Sequence, residues 1–265
     1  MNFALVIYTH SDFLPLWDII PYSLNKLNIS LPIILLCDKK ELYNKYYNFK
    51  DIIEYNDNDT YASRLLSCLP KIDEQFILLM HENTILTHFD IEKILIIKKY
   101  VENSGLSRVH LSIDHSTTVM DNNEKINKNI FNGEKIFLEK NIVLTKENNY
   151  YHYSVGPSIW NKQHLYIILQ EFPHKTYRDM EATKEIDYYM AEKGFHICYY
   201  GFNKQDNIIQ ASRRDMIDYF AYFHITGERK IIPRFLLQDL DTTVQEYLKE
   251  CNINSDDFFK LNFNK

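Results

Sequence analysis

Glycine and proline are scarce, six and seven among 265 residues, which excludes collagen-like repeats, linker-rich chains and propeller blades. The four cysteines, Cys37, Cys68, Cys198 and Cys251, stand far apart and form no CxxC pair. Neither a zinc knuckle nor a disulfide framework is indicated, and reduced, buried or half-buried thiols are expected. Long apolar runs are missing as well: the longest, LPIILLC at 31–37, falls far short of the roughly 20 residues that span a bilayer. The segment MNFALVIYTHSDF has no basic stretch and meets Asp12 early, unlike a secretory signal. There is no basic excess either. Net charge is -6 and the pI near 5.9, with Lys and Arg scattered among acids, so no nucleic-acid partner is expected.

What is present is enough apolar and aromatic matter, 45% and 14% of residues, to bury a large core. FALVIY at 3–8, LPIILLC, DIIEY at 51–55, FILLM at 76–80 and RVHLSI from Arg108 read as buried strands. Between them, the segment from His10 to Leu27 has helical spacing cut into short pieces by Pro15 and Pro21. TYASRLLSCL predicts a helix capped by Asp59 or Thr60, and FDIEKILIIKKYVENSG one that ends at Gly105. The Asn-rich stretch from Asp121 to Lys146 reads as a hairpin or an irregular excursion. WNKQHLYIILQEF and MEATKEIDYYMAEKG each predict a helix, and FHICYYGF a strand. Strands alternating with helices predict an α/β fold: a mixed, mostly parallel sheet flanked by helices. No linker or internal repeat divides the chain, so residues 1–265 are expected to form one domain, with 231–265 as a C-terminal helical extension.

In open α/β sheets, ligands gather outside the carboxyl ends of the strands. Thr9-His10-Ser11-Asp12 follows the first strand, Asp38 the second, and His81-Glu82-Asn83 follows FILLM. Taken singly, Ser11 and Asp12 suit a helix cap and Asp38 a turn. Three polar groups interrupting FILLM and TIL exceed what a cap needs, which favours a functional role for His81-Glu82-Asn83.

Together, THSDF after the first strand, the Arg in YASRL, FILLMHEN, SVGPSIWNKQHL and YRDMEATKEIDYYM resemble nucleotide-sugar-dependent glycosyltransferases of the GT-A fold, particularly small ones of giant viruses and bacteria. The resemblance runs from Ala4 to about Arg229 and rests on the order of these segments. It implies transfer of a sugar from a nucleotide diphosphate sugar to a hydroxyl of a glycan, lipid or protein. Without a signal-like or membrane-spanning run, the chain is expected in the cytoplasm, the host cytoplasm for a viral source. The resemblance also implies a Mn²⁺ or Mg²⁺ ion that neutralises the departing diphosphate. Glu82 is then the metal ligand, in a triplet with one carboxylate where the family carries an Asp-x-Asp-like motif. His224 is the further ligand, or a histidine on the polar side of an aromatic element. Thr9, Asp12, Asp38, Arg64, Trp160 and Arg229 are expected to contact the nucleotide sugar, although a solvated helix position suits Arg64 and a core position Trp160. Glu181 near a helix start is expected to take the acceptor proton in an inverting reaction, the one favoured here, and to bind the acceptor in a retaining one; Asp179 suits an N-cap. The alternative is a protein of the same fold that binds nucleotide or glycan without turnover.

Overall fold

A computed structural model describes residues 2–17, 19–82, 84–111, 118–121, 124–127, 134–146, 153–200, 220–225, 231–232, 246 and 249–251. In chain order the strands are β1 (Phe3–Tyr8), β2 (Ile33–Cys37), β3 (Asp51–Glu54), β4 (Phe76–His81), β5 (Thr84–Phe89), β6 (Arg108–His110), β7 (Thr118–Asp121), β8 (Glu124–Asn127), β9 (Glu134–Phe137), β10 (Val143–Lys146), β11 (Ser158–Asn161), β12 (Ile197–Tyr200), β13 (Phe220–Ile225) and β14 (Ile231–Ile232). The helices are α1 (Ile19–Lys26), α2 (Lys40–Tyr43), α3 (Tyr61–Cys68), α4 (Ile91–Ser104), α5 (Lys162–Glu171), α6 (Tyr177–Ala182) and α7 (Lys184–Glu192).

Nine strands form one sheet in the order β3-β2-β1-β4-β11-β6-β12-β10-β9. Only β11 and β10 oppose the other seven, because each pairs antiparallel with both of its neighbours. The expected mixed, mostly parallel sheet flanked by helices is what forms. β5, β13 and β14 make a separate three-stranded sheet, and β7 pairs antiparallel with β8; of the Asn-rich stretch from Asp121 to Lys146, read as a hairpin or excursion, the described residues include β8 and the antiparallel pair β9–β10.

The period of two along a strand sends alternate residues to opposite faces. Phe3, Leu5 and Ile7 of β1 join Ile33, Leu35, Phe76, Leu78 and Met80 in one core, which α4 covers with Ile94, Ile97 and Val101. Ala4, Val6 and Tyr8 face the other core, covered by Leu65 of α3, Leu165 and Ile168 of α5, and Ile186 and Met190 of α7. Burial on both faces is why these strands read as unbroken apolar runs.

Local chemistry sets the helix ends. Thr60 caps α3 by accepting from Ser63 N, and Asp90 caps α4 through the amides of Glu92 and Lys93. Gly105 ends α4 at φ 69, a left-handed conformation that a side chain would strain. The segment MEATKEIDYYMAEKG is two helices and not one. Thr176 and Asp179 form a capping box that starts α6, and Thr183 turns extended before α7 begins. SIWN is a strand where WNKQHLYIILQEF had read as helix from Trp160; Asn161 instead caps α5.

Within 231–265, Ile231–Ile232 pair with β13, and Glu246, Lys249 and Glu250 are helical. Among the described residues no helix is long and apolar enough to cross a membrane. Cys37, Cys68 and Cys198 are buried and unbridged. Burial pushes their thiols up to about 11 for Cys68 and about 12 for the other two, as fits inert core thiols.

Candidate functional site

The carboxyl ends of β3, β2, β1 and β4 lie side by side, and the polar residues that follow them converge on one edge. Beyond β1, Thr9 is fully buried and used by the scaffold: its amide donates to Leu36 O (2.9 Å), its hydroxyl accepts from Trp17 Nε1 (3.0 Å) and its carbonyl from Tyr55 Oη (2.5 Å). Thr9 thereby locks the backbone from which His10 projects. His10 caps the following short turn, its Nδ1 accepting from Asp12 N (3.1 Å), while the Asp12 carboxylate is 82% exposed.

Asp38, beyond β2, accepts from Ser11 N through Oδ1 (2.9 Å). Its side chain is 0% exposed, and Oδ2 has no hydrogen-bond partner among the described residues. Beyond β3, Asp57 meets His10 Nε2 (2.7 Å) and Arg64 Nη2 (2.8 Å) through Oδ1. These partners hold its carboxyl below the usual range, the His10 contact first. Arg64 is no freely solvated helix arginine. It donates to Asp59 O (2.9 Å), the Asp57 carbonyl and Tyr8 Oη (3.3 Å), and lies over the Tyr55 ring at 5.2 Å.

Beyond β4, Glu82 N donates to Tyr8 O (3.0 Å), which continues the β1–β4 pairing by one residue and turns the side chain inward. The carboxyl is buried, and Oε2 has no hydrogen-bond partner among the described residues. Desolvation, then the field of Asp38, pushes it up to about 8. An uncompensated buried carboxyl of this kind stays protonated at neutral pH unless a cation or donor arrives. His81 lies among the rings of Tyr8, Tyr61 and Tyr177, with Tyr61 Oη 3.1 Å from Nε2.

Glu181, on α6, reaches the same neighbourhood. Its Oε1 accepts from Val155 N (2.9 Å), just before the GPSIW segment. Tyr177 feels both Glu181 and Glu82, whose negative fields add to burial in raising its phenol. Trp160 is buried at 1% exposure, with Arg108 over its ring at 5.0 Å and the tilted Tyr153 ring 5.8 Å away. Asp179 belongs to the capping box of α6, with Thr176 as the N-cap.

His224 lies on β13, its backbone opposite Thr84, the first residue of β5; its side chain lies outside the described residues. Arg229 and Asn83 also lie outside them. The structure therefore gathers Thr9, Asp12, Asp38, Arg64 and Glu82 at one edge, with Glu181 approaching through Tyr177, while Trp160 is in the core.

Sequence reasoning missed Asp57 and Arg108. Asp57 stands in the acid-rich NDND after β3, a signal at a strand end comparable to Asp38. Arg108 opens an apolar strand segment, is fully buried, and donates from Nε to Ser158 Oγ (2.9 Å). Burial depresses its pKa.

No protein-family model and no curated protein matches the chain. Among solved structures it is similar to a cytidylyltransferase from Leptospira borgpetersenii (9% identity, all of both chains covered, TM-score 0.49). It is also similar to the bifunctional IspDF from Campylobacter jejuni (16% identity, 77% of this chain and 50% of that one, TM-score 0.46). A third likeness is to residues 1–349 of TarS from S. aureus (12% identity, 75% and 58%, TM-score 0.43). The chain thus spans about half the length of the IspDF and TarS chains. Its own side chains, and not these likenesses, carry its functional reading.

Proposed function

We propose that the chain is a glycosyltransferase that moves a sugar from a nucleotide diphosphate sugar to a hydroxyl acceptor. The observation that carries this reading is the pair of buried carboxyl groups, Asp38 and Glu82, each with an oxygen that has no hydrogen-bond partner among the described residues, at the carboxyl ends of β2 and β4, the parallel strands that flank β1. Buried, unpaired acceptors in that place fit a cationic or donor-bearing ligand, and a fold that ends its strands there presents them to a nucleotide. Asp12 and Arg64 flank the same edge, and Arg229 is proposed to meet the diphosphate.

The residues present fit a divalent cation, since Glu82 offers a desolvated carboxyl oxygen with nothing else to bind it; His224 is proposed as a further ligand. A bound Mn²⁺ or Mg²⁺ would offset the charge that grows on the diphosphate as it leaves. In the transfer, the acceptor oxygen forms a bond to the anomeric carbon. The bond from that carbon to the diphosphate oxygen breaks with its electron pair, and the acceptor proton passes to Glu181. The amide of Val155 fixes one carboxylate oxygen of Glu181 and thereby orients the other for the proton. Attack from the side of Glu181 inverts the anomeric centre.

The competing reading is nucleotide or glycan binding without turnover, favoured by the lone carboxylate of His81-Glu82-Asn83. Incubation with UDP-, GDP-, TDP- and CMP-sugars plus Mn²⁺, with and without sugar acceptors, separates the two. A thermal shift with one donor at ~100 times its Kd should add about 2.7 kcal/mol, and transfer to acceptor should follow. A shift with no released nucleotide supports the binding protein; no shift with any donor refutes the transferase and nucleotide binding alike.

A further inference from the structure

Across β1 from Glu82 lies a second set of donors that the transfer reading does not use as a unit. His10, Asp38 and Asp57 follow β1, β2 and β3, three adjacent strands, and one donor atom of each lies within 4.8 Å of the others. His10 Nε2 is 2.7 Å from Asp57 Oδ1 and 3.8 Å from Asp38 Oδ2. Donors that each sit about 2.0–2.2 Å from one ion can be at most about 4.4 Å apart, so both separations suit a shared ion. Independently of the cluster, Asp38 Oδ2 is buried, without a hydrogen-bond partner, and turned toward the imidazole at a distance too long for a hydrogen bond. A wholly desolvated carboxylate oxygen in that position suits a cation.

We propose that His10, Asp38 and Asp57 bind a divalent transition-metal ion, held by the protein without nucleotide. One imidazole and two carboxylates favour a borderline ion such as Zn²⁺ or Co²⁺ over the harder Mg²⁺, Ca²⁺ and Mn²⁺, which take oxygen donors. The second shell is already built. Arg64 grips the Asp57 carboxylate and its backbone carbonyl, and Ser11 N holds the other oxygen of Asp38. The Asp12 carboxylate lies 3.2 Å from His10 Nδ1. With Nε2 holding a metal, the ring proton would sit on Nδ1, which would give up the Asp12 amide and donate instead to the Asp12 carboxylate, the carboxylate–histidine–metal arrangement that fixes a ligand's tautomer. Without metal, Nε2–H faces Asp57 and Nδ1 accepts from Asp12 N. The site stands independently of the sugar-transfer reading and refines the part given to Asp38, whose unpartnered oxygen becomes a ligand.

The test is calorimetric titration of EDTA-stripped, dialysed protein with Zn²⁺ in the absence of nucleotide, and with Co²⁺ followed by its visible absorption. The wild type should bind one ion. Asp57→Asn and His10→Asn should weaken binding at least ~100-fold, and Asp12→Asn, at an exposed position that leaves folding intact, about 10-fold. Glu82→Gln, which alters only the separate cation position of the transfer reading, should keep the tight Zn²⁺ and Co²⁺ site at His10, Asp38 and Asp57. Wild-type affinity in Asp57→Asn together with Asp12→Asn overturns the proposal, as does loss confined to Glu82→Gln, or no binding by the wild type. Circular dichroism of each variant distinguishes a lost ligand from a lost fold, and Asp12→Asn keeps the proposal open to refutation if the other variants do not fold.

Discussion

The burial of Glu82 predicts an unusual dependence of stability on pH. Its carboxyl moves from an ordinary value near 4.5 to about 8 on folding, so between those values the folded chain binds a proton that the unfolded chain has released. Stability therefore falls as pH rises, the reverse of the usual carboxylate case. The contribution of the neutral carboxyl is intact below pH 4.5, declines by about 1.4 kcal/mol for each pH unit through the window, and levels off above about 8. Summed, ionising Glu82 in the folded chain costs of order 5 kcal/mol, of which about 4 should be lost between pH 5 and pH 10. Glu82→Gln keeps the size and the hydrogen-bonding capacity of the neutral acid and removes the titration. Urea denaturation in EDTA at pH 5 to 10 should show the variant gaining about 4 kcal/mol on the wild type across that range. Other groups cancel in the difference. Parallel stability curves for the two proteins would refute the reasoning, and would mean that water or a donor already reaches the carboxyl. Saturating Mn²⁺ should flatten the wild-type curve if the cation meets Glu82.

Glu181→Gln should leave the donor-induced thermal shift intact and lower transfer by about 100-fold or more; unchanged turnover removes Glu181 as the proton acceptor. Trp160→Ala should destabilise the chain by about 3–5 kcal/mol, read by denaturant unfolding, because the ring is a core element between Arg108 and Tyr153; a loss below 1 kcal/mol with weakened donor binding would make it a ligand platform instead. Gly105→Ala should cost about 1 kcal/mol through backbone strain alone, since no atom lies within 4 Å of the added methyl, and Gly105→Asn should cost less.

Much of the acid-bearing half was legible in the sequence because its signals are local. The apolar runs of β1, β2 and β4, the Thr60 cap and the Gly105 stop are each decided within a few residues. Thr9, Asp12, Asp38 and Glu82 followed from strand ends, since a doubly covered sheet leaves only its edges for polar groups. What stayed hidden is long-range. SIWN became a strand because β4 and β6 each present an unpaired side that it fills, and nothing within four residues announces that. The pairing of Asp57 with His10 depends on β3 lying beside β2 and β1, an adjacency no periodicity encodes. Arg64 looked like any exposed helix arginine until the turn after β3 placed two carbonyls and a carboxylate beneath it. The burial of Trp160 follows from the Arg108 register on β6, which is likewise set across the sheet.

The antiparallel insertion of β11 between β4 and β6 also bears on how the chain is made. The first 82 residues emerge with β3, β2, β1 and β4 in hand, and with them His10, Asp38, Asp57, Arg64 and Glu82. The open side of β4, Phe76 to Leu79, finds its partner only when Ser158 to Asn161 arrive. At about 5–20 residues per second, the roughly 80 residues between them take about 4–16 s to synthesise. For those seconds the nascent chain carries a finished acidic edge beside an uncovered apolar strand margin, the kind of surface that chaperones engage and that pairs with stray strands. Slowing translation between residues 82 and 158 should therefore increase aggregation of the nascent protein more than slowing it after residue 161.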